Sequence, residues 1–230
     1  MGMIKAVLFD LDDTLLDFQA SENVAIRQTL TALGLPADDG TAALYHRINE
    51  AQWKLLELGQ LTREQVLTRR FRLLFEELGV DRSPEETWRR YEGNLSRQHH
   101  MLPQALPLLE RLYPHYRLYL VSNGTASVQD SRIAATGIGR FFRAQFISQR
   151  VGFEKPDPRF FDCCFAAMPE VRRSEAIILG DSLTSDIKGG LNAGILTCWF
   201  NPRRKPARPD IRPHYEIDAL LQLPELLETL

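Results

Sequence analysis

Four short stretches of this chain carry residue types at spacings that suit phosphoryl chemistry. In Asp10-Leu11-Asp12-Asp13-Thr14, two carboxylates stand two residues apart directly after an apolar run. Just beyond a strand, such carboxylates can converge on one centre with the main-chain carbonyl between them. A hard cation such as Mg²⁺ accepts those oxygens and keeps water and substrate phosphate for its other positions. One carboxylate could then attack phosphorus, giving an aspartyl-phosphate, while the other protonates the departing oxygen. The same acids also fit a helix N-cap cluster, so this stretch alone does not decide.

Ser122-Asn123-Gly124 places a hydroxyl, an amide and flexible backbone at a strand-to-helix turn, where exposed N–H groups bind anions. Lys155, in Gly152-Phe153-Glu154-Lys155-Pro156-Asp157-Pro158, is held by neighbouring prolines and can offset charge on a nucleophile and a phosphoryl group. In Gly180-Asp181-Ser182-Leu183-Thr184-Ser185-Asp186, Asp181 ends a strand where it can reach a metal. Asp186, one turn into the next helix, can orient Lys155 or a metal-bound water.

Positioning these residues requires a particular order of elements. Lys5-Ala6-Val7-Leu8-Phe9 reads as a buried strand. From Ser21 to about His99 the pattern is helical, fitting helices at about 21–33, 41–58, 62–78 and 83–99, with capping boxes at Thr62/Gln65 and Ser83/Glu86. Strands then alternate with helices: Leu118–Val121, a helix capped by Thr125 and closed by Gly137, and Ala144–Ser148. A helix from Pro158 through Met168, Ala176–Leu179, a helix over Thr184–Ala193 and Leu196–Phe200 follow, with a short strand and a terminal helix after Pro213. This alternation predicts an α/β fold with a doubly wound parallel sheet. Ligands in such sheets bind beyond the carboxyl ends of the strands, where all four stretches fall.

Composition narrows the function classes. The 230 residues are 44% hydrophobic and 25% charged, ordinary for a globular chain and more than one minimal domain needs. With a formal net charge of −2, no global field gathers a nucleic-acid polymer or an anionic membrane, so phosphate recognition must be local. The basic, proline-rich segment from Asn201 to Pro213 reads as a solvated surface loop. No apolar stretch is long enough to span a bilayer, and the N-terminal run lacks the form of a signal peptide, so a cytoplasmic location is expected. Cys163, Cys164 and Cys198 read as reduced core residues.

Taken together, the four stretches resemble the motifs of the haloacid dehalogenase superfamily of aspartate-nucleophile hydrolases, which correspond to Asp10/Asp12/Thr14, Ser122, Lys155 and Asp181/Asp186. The resemblance implies a Rossmann-like catalytic core over 1–16 and 101–230, an inserted all-helical cap over 17–100, and a Mg²⁺-dependent phosphomonoesterase. It makes Asp10 the nucleophile and Asp12 the general acid and base, and it makes Thr14, Ser122, Asn123 and Lys155 the phosphate-binding set. Asp10, Asp181 and the main-chain carbonyl of Asp12 become metal ligands, supported by Asp186. The second acid at Asp12 favours ester over carbon–halogen cleavage. Over about 117–201 the sequence looks like the pyrimidine 5′-nucleotidases. A sugar-phosphate phosphatase or phosphomutase shares the same motifs. A phosphoaspartate receiver module shares the acids, hydroxyl and lysine but has no use for Asp12 or the helical insertion. The expected partner is a small phosphomonoester, with no nucleic-acid polymer and no membrane, the protein being a monomer or homodimer. Trp53, Phe71, Phe75, Trp88 and Tyr91 read as core at helical spacing, and Phe18 as a candidate substrate contact.

Overall fold

The computed structural model describes residues 3–230. The chain divides into two compact units, Met1–Asp17 with Met101–Leu230, and Phe18–His100. The second unit holds α1 (Phe18–Ala32), α2 (Asp39–Glu57), α3 (Arg63–Leu78) and α4 (Pro84–Leu95), with α1 packed on α4 and α2 on α3. Asp38 caps α2 by accepting from the Thr41 N–H, and Thr62 forms a complete capping box with Gln65. At Ser83 the forward half forms, the hydroxyl accepting from the Glu86 N–H, with Pro84 at the first helical position. Helix α4 stops short of the expected 99: at Arg97 and Gln98 the chain tightens to bonds reaching back three residues, to Asn94 and Leu95. The unit's core is aromatic, with Tyr45, Phe71 and Tyr91 ring centroids 5.3 to 5.5 Å apart. Trp53 and Trp88 are only half-buried.

The first unit is built on β1 (Ala6–Phe9), β2 (Arg117–Ser122), β3 (Phe142–Ile147), β4 (Ala176–Gly180), β5 (Leu196–Phe200) and β6 (Tyr215–Ile217). They form one parallel sheet in the order β3-β2-β1-β4-β5-β6, the doubly wound arrangement expected. Between them run α5 (Ala105–Leu112), α6 (Ala126–Thr136), α7 (Ser148–Val151), α8 (Pro158–Ala166), α9 (Lys188–Ala193) and α10 (Gln222–Leu227). The period of two along each strand sorts side chains onto two faces. Val7, Phe9, Leu118, Leu120, Ile177 and Leu179 pack with α5, α6 and α10, while Ala6, Leu8, Tyr119, Val121, Ala176 and Ile178 pack with α8 and α9. All four β1 residues are fully buried, as a central strand covered on both faces must be.

Local differences from the sequence expectations have physical reasons. Strand β3 begins at Phe142 rather than Ala144, because a register shift against Leu118 and Tyr119 leaves Arg143 as an extra residue in the ladder. Thr125 stands at the α6 N-cap without a side-chain cap bond; instead the Ala126 N–H donates to Gln149 Oε1. Gly137 closes that helix in the left-handed region, at φ 68°. The helix expected from Thr184 opens as a π turn over Leu183–Ile187, and α9 follows it. Cys163 is exposed rather than core, whereas Cys164 and Cys198 are buried. No helix among the described residues is long and apolar enough to cross a membrane.

Candidate active site

The sheet order reverses at β1, which lies between β2 and β4, so the loops leaving these strands flank one crevice. Strand β1 delivers Asp10, whose N–H still donates to the Leu179 carbonyl at 2.9 Å and so stays at the end of β4. The chain then turns sharply. Asp13 takes a positive φ of 56°, which its short polar side chain tolerates, and the Leu15 and Leu16 N–H groups both bond back to the Leu11 carbonyl. This tight loop buries Thr14, whose Oγ1 has no hydrogen-bond partner.

Lys155 is 1% exposed and uses all three ammonium donors: to Asp10 Oδ1 at 2.7 Å, Asp186 Oδ1 at 2.7 Å and the Val121 carbonyl at 2.8 Å. Burial opposes its charge, but Asp10 and Asp186 outweigh that and hold it above the ordinary lysine range. Asn123 fixes the lysine's backbone, its Oδ1 accepting from the Lys155 N–H at 2.9 Å and its Nδ2 donating to the Lys155 carbonyl at 2.8 Å. The amide expected to bind phosphate thus also positions Lys155.

Asp181 and Asp186 leave β4 on either side of Ser182, whose hydroxyl caps the π turn and whose N–H donates to Asp186 Oδ2 at 3.1 Å. A Cβ on Gly180 would stand 2.3 Å from the Asp186 carboxyl carbon, so glycine is what lets Asp186 fold back against the strand end. The Asp181 carbonyl accepts from Trp199 Nε1 at 2.9 Å, and its Oδ2 lies 3.4 Å from Lys205 Nζ. Asp13, Asp17, Asn201, Arg203 and Lys205 line a recess of about 60 Å³ beside it.

Oxygens of Asp10, Asp181 and Asp186 lie within 4.8 Å of one another. Burial, with the carboxylates of Asp186, Asp181 and Asp12, pushes Asp10 well above the usual carboxylate range despite Lys155. Burial, with Asp186 and Asp13, pushes Asp181 up to about 7 against the pull of Lys205. Carboxylates so reluctant to ionise together, all hard oxygen donors, fit a divalent cation, which would relieve the repulsion.

The second acid of the first stretch has separate surroundings. Asp12 Oδ1 accepts from Arg132 Nη1 at 2.5 Å and Oδ2 from Gln129 Nε2 at 2.7 Å. The same amide donates to Ser122 Oγ at 2.9 Å. The structure thus brings Asp10, Lys155, Asp181 and Asp186 into one cluster and joins Asp12 to Ser122 through α6. Sequence reasoning missed Gln129, Arg132, Trp199 and Lys205. The available signal was that Gln129 and Arg132, three residues apart on the helix after Ser122, share a stripe with the apolar Val128 and Ile133.

Comparison with known proteins agrees with this geometry. Residues 4–194 match the family model for the haloacid dehalogenase-like hydrolases. The chain is 37% identical to the HAD-hydrolase YfnB of Bacillus subtilis, over 99% of this chain and 97% of that one. A crystal structure of YfnB bound to magnesium superposes with a TM-score of 0.94, covering 98% of this chain and 99% of that one. The pyrimidine 5′-nucleotidase PynA of Streptococcus pneumoniae is 35% identical, over 97% of this chain and 95% of its own length. The pyrimidine 5′-nucleotidase YjjG of Escherichia coli is 28% identical, over 96% of each chain. A family match across most of the sequence, on a sheet whose strand ends gather these acids and this lysine, makes the chain a member of the haloacid dehalogenase-like hydrolase family.

Proposed function

We propose that the protein is a Mg²⁺-dependent phosphomonoesterase acting through an aspartyl-phosphate on Asp10, with pyrimidine nucleoside monophosphates as its substrates. The observation that carries this reading is the separation of two neighbouring carboxylates into different surroundings: Asp10 against the Lys155 ammonium, Asp12 against Arg132 and Gln129. Acid–base pairs in enzymes are divided in this way. The likeness to PynA and YjjG supports the substrate class, and the magnesium in the YfnB structure supports the cation.

In the proposed reaction an Asp10 oxygen bonds to phosphorus as the ester P–O bond breaks, and Asp12 gives its proton to the departing alcohol oxygen. Water then attacks phosphorus and Asp12 takes a proton from it. The Asp10–phosphorus bond breaks and inorganic phosphate leaves. Lys155 sits beside Asp10 throughout, and Ser122 and Thr14 are hydroxyl donors for the phosphoryl oxygens. Asp10, Asp181 and the main-chain carbonyl of Asp12 would hold Mg²⁺, with Asp186 supporting. Bound there, the ion supplies counter-charge to the carboxylates and polarises the phosphoryl group.

The helical unit serves in this reading as the cap that selects the leaving group. A cytoplasmic monomer or homodimer acting on a small-molecule ester fits the free cysteines Cys163, Cys164 and Cys198. The test is a panel of phosphomonoesters with Mg²⁺, comparing pyrimidine with purine nucleotides and sugar phosphates. Preference for uridine and cytidine monophosphates is the expected result. Flat activity defeats the substrate class, and an inert protein defeats the phosphatase.

A further inference from the structure

Asp12 and Ser122 sit on loops leaving different strands, and the side chains that join them both come from α6. Gln129 makes three bonds at once. Its Oε1 accepts from Arg132 Nη1 at 3.0 Å, and its Nε2 donates to Asp12 Oδ2 at 2.7 Å and Ser122 Oγ at 2.9 Å. The orientation of this amide is forced, because a guanidinium can only donate and must therefore face the amide oxygen. Ser122 Oγ also accepts from the Gly124 N–H at 3.1 Å. With two N–H groups on its lone pairs, that hydroxyl has its own hydrogen left to give.

Arg132 is fully buried, while 27% of the Asp12 side chain stays exposed. The guanidinium therefore holds Asp12 from its buried side and leaves part of the side chain accessible. Gly124 belongs to the same arrangement, since a Cβ there would lie 2.2 Å from Gln129 Nε2. A burial this complete, on a residue type that is seldom fully buried without a partner, marks a purpose-built support.

We propose that Arg132 and Gln129 are positioning residues: Arg132 fixes the rotamer from which Asp12 transfers its proton, and Gln129 turns the Ser122 hydroxyl into a dedicated donor to the phosphoryl group. The inference rests on the phosphomonoesterase reading and extends it to the helix following Ser122. A proton-transfer group misplaced by a fraction of an ångström loses much of its effect. Losing Arg132 should therefore show where the leaving oxygen needs a proton and vanish where it does not. Losing Gln129 should in addition weaken phosphate binding.

The experiment measures single turnovers with enzyme in excess, on p-nitrophenyl phosphate, whose phenolate departs unprotonated, and on the alkyl phosphate that the wild-type protein cleaves fastest. Arg132→Met should slow alkyl-ester cleavage about 10- to 100-fold, part of the roughly 10²–10⁴ that acid–base catalysis contributes. It should leave the aryl ester within about threefold, a change too small to reflect a lost proton-transfer group. Arg132→Lys should recover part of the loss, and Gln129→Met should also raise KM for both esters. Circular dichroism checks the fold, and should Arg132→Met not fold, Gln129→Met and Arg132→Lys carry the same ratio of esters. Equal losses on both esters, or no loss on either, overturn the inference and leave the phosphatase standing. A wild-type protein inert on every ester overturns both.

Discussion

The two units each bury a network of charged side chains, and the networks are built to opposite rules. In the helical unit, Glu22, Asn49 and Arg70 are each 3% exposed. Asn49 stands between the charges, donating to Glu22 Oε1 at 2.7 Å and accepting from Arg70 Nη1 at 2.8 Å. His46 Nδ1 meets the other Glu22 oxygen at 2.5 Å, and the Arg70 guanidinium lies 4.9 Å from the Tyr91 ring centroid. One carboxylate faces one guanidinium, and polar contacts satisfy both. At the strand ends of the α/β unit, Asp10, Asp181 and Asp186 lie together, with the buried Lys155 ammonium against Asp10 and Asp186 and only the half-exposed Lys205, 3.4 Å away, against Asp181. Burial makes a carboxylate costly unless its charge is met, so the first network stands by itself and the second asks for a cation. Charge balance separates structure from site more sharply than burial does.

That contrast can be broken or sharpened by experiment. Asp10→Asn should lower kcat by more than about 10³-fold, as loss of a nucleophile does. It should cost little stability, because one of the excess carboxylates is gone. A variant that turns over at near the wild-type rate would sink the mechanism. Lys155→Met strands the acids, and urea unfolding should show a loss of about 3–5 kcal/mol, the usual cost of breaking a buried pair. Mg²⁺ should restore part of that stability by binding the folded form, and no Mg²⁺ response would contradict the contrast. Asn49→Leu, in the balanced network, should cost about 1–3 kcal/mol for each polar group left unmet, and Mg²⁺ should recover none of it.

The smallest effect lies outside both networks. Hydrogen bonds from Arg172 and Lys5 hold the Glu175 carboxyl down to about 2. A carboxyl lowered in the folded state stabilises above its ordinary 4.5 and loses that contribution as pH falls toward 2. Glu175→Gln should remove this part of the acid sensitivity, read as a flatter dependence of melting temperature on pH over that window. An unchanged acid limb would show that the pair carries none of it.

Much of this was legible in the chain itself. The run ending at Phe9 and the acids after it mark a strand and its carboxyl end, because a central strand needs unbroken apolar residues and its exit does not. The same pattern at Val121-Ser122 and Leu179-Gly180-Asp181 locates the other loops of the crevice. Gln129 and Arg132 escaped because such residues on a helix ordinarily face solvent, and only the register of α6 turns them inward. The adjacent cysteines show the limit of reading burial from type. Neighbours on a helix point about 100° apart, so Cys164 enters the core and Cys163 faces out. Nor does hydrophobic period announce the π turn over Leu183–Ile187, where the Ser182 cap and the inward Asp186 decide the local geometry.

The placement of β1 has a consequence for how the chain is made. Its ladder partners are Arg117–Leu120 and Ala176–Leu179, more than a hundred residues later. During synthesis the strand must wait without its ladder partners until those residues have been made. A nascent chain stalled before residue 117 would thus hold an apolar strand with neither of its ladder partners made. The acids that follow Phe9, which in the finished protein gather at the strand ends, would then act as gatekeepers, keeping that waiting edge from pairing with another chain.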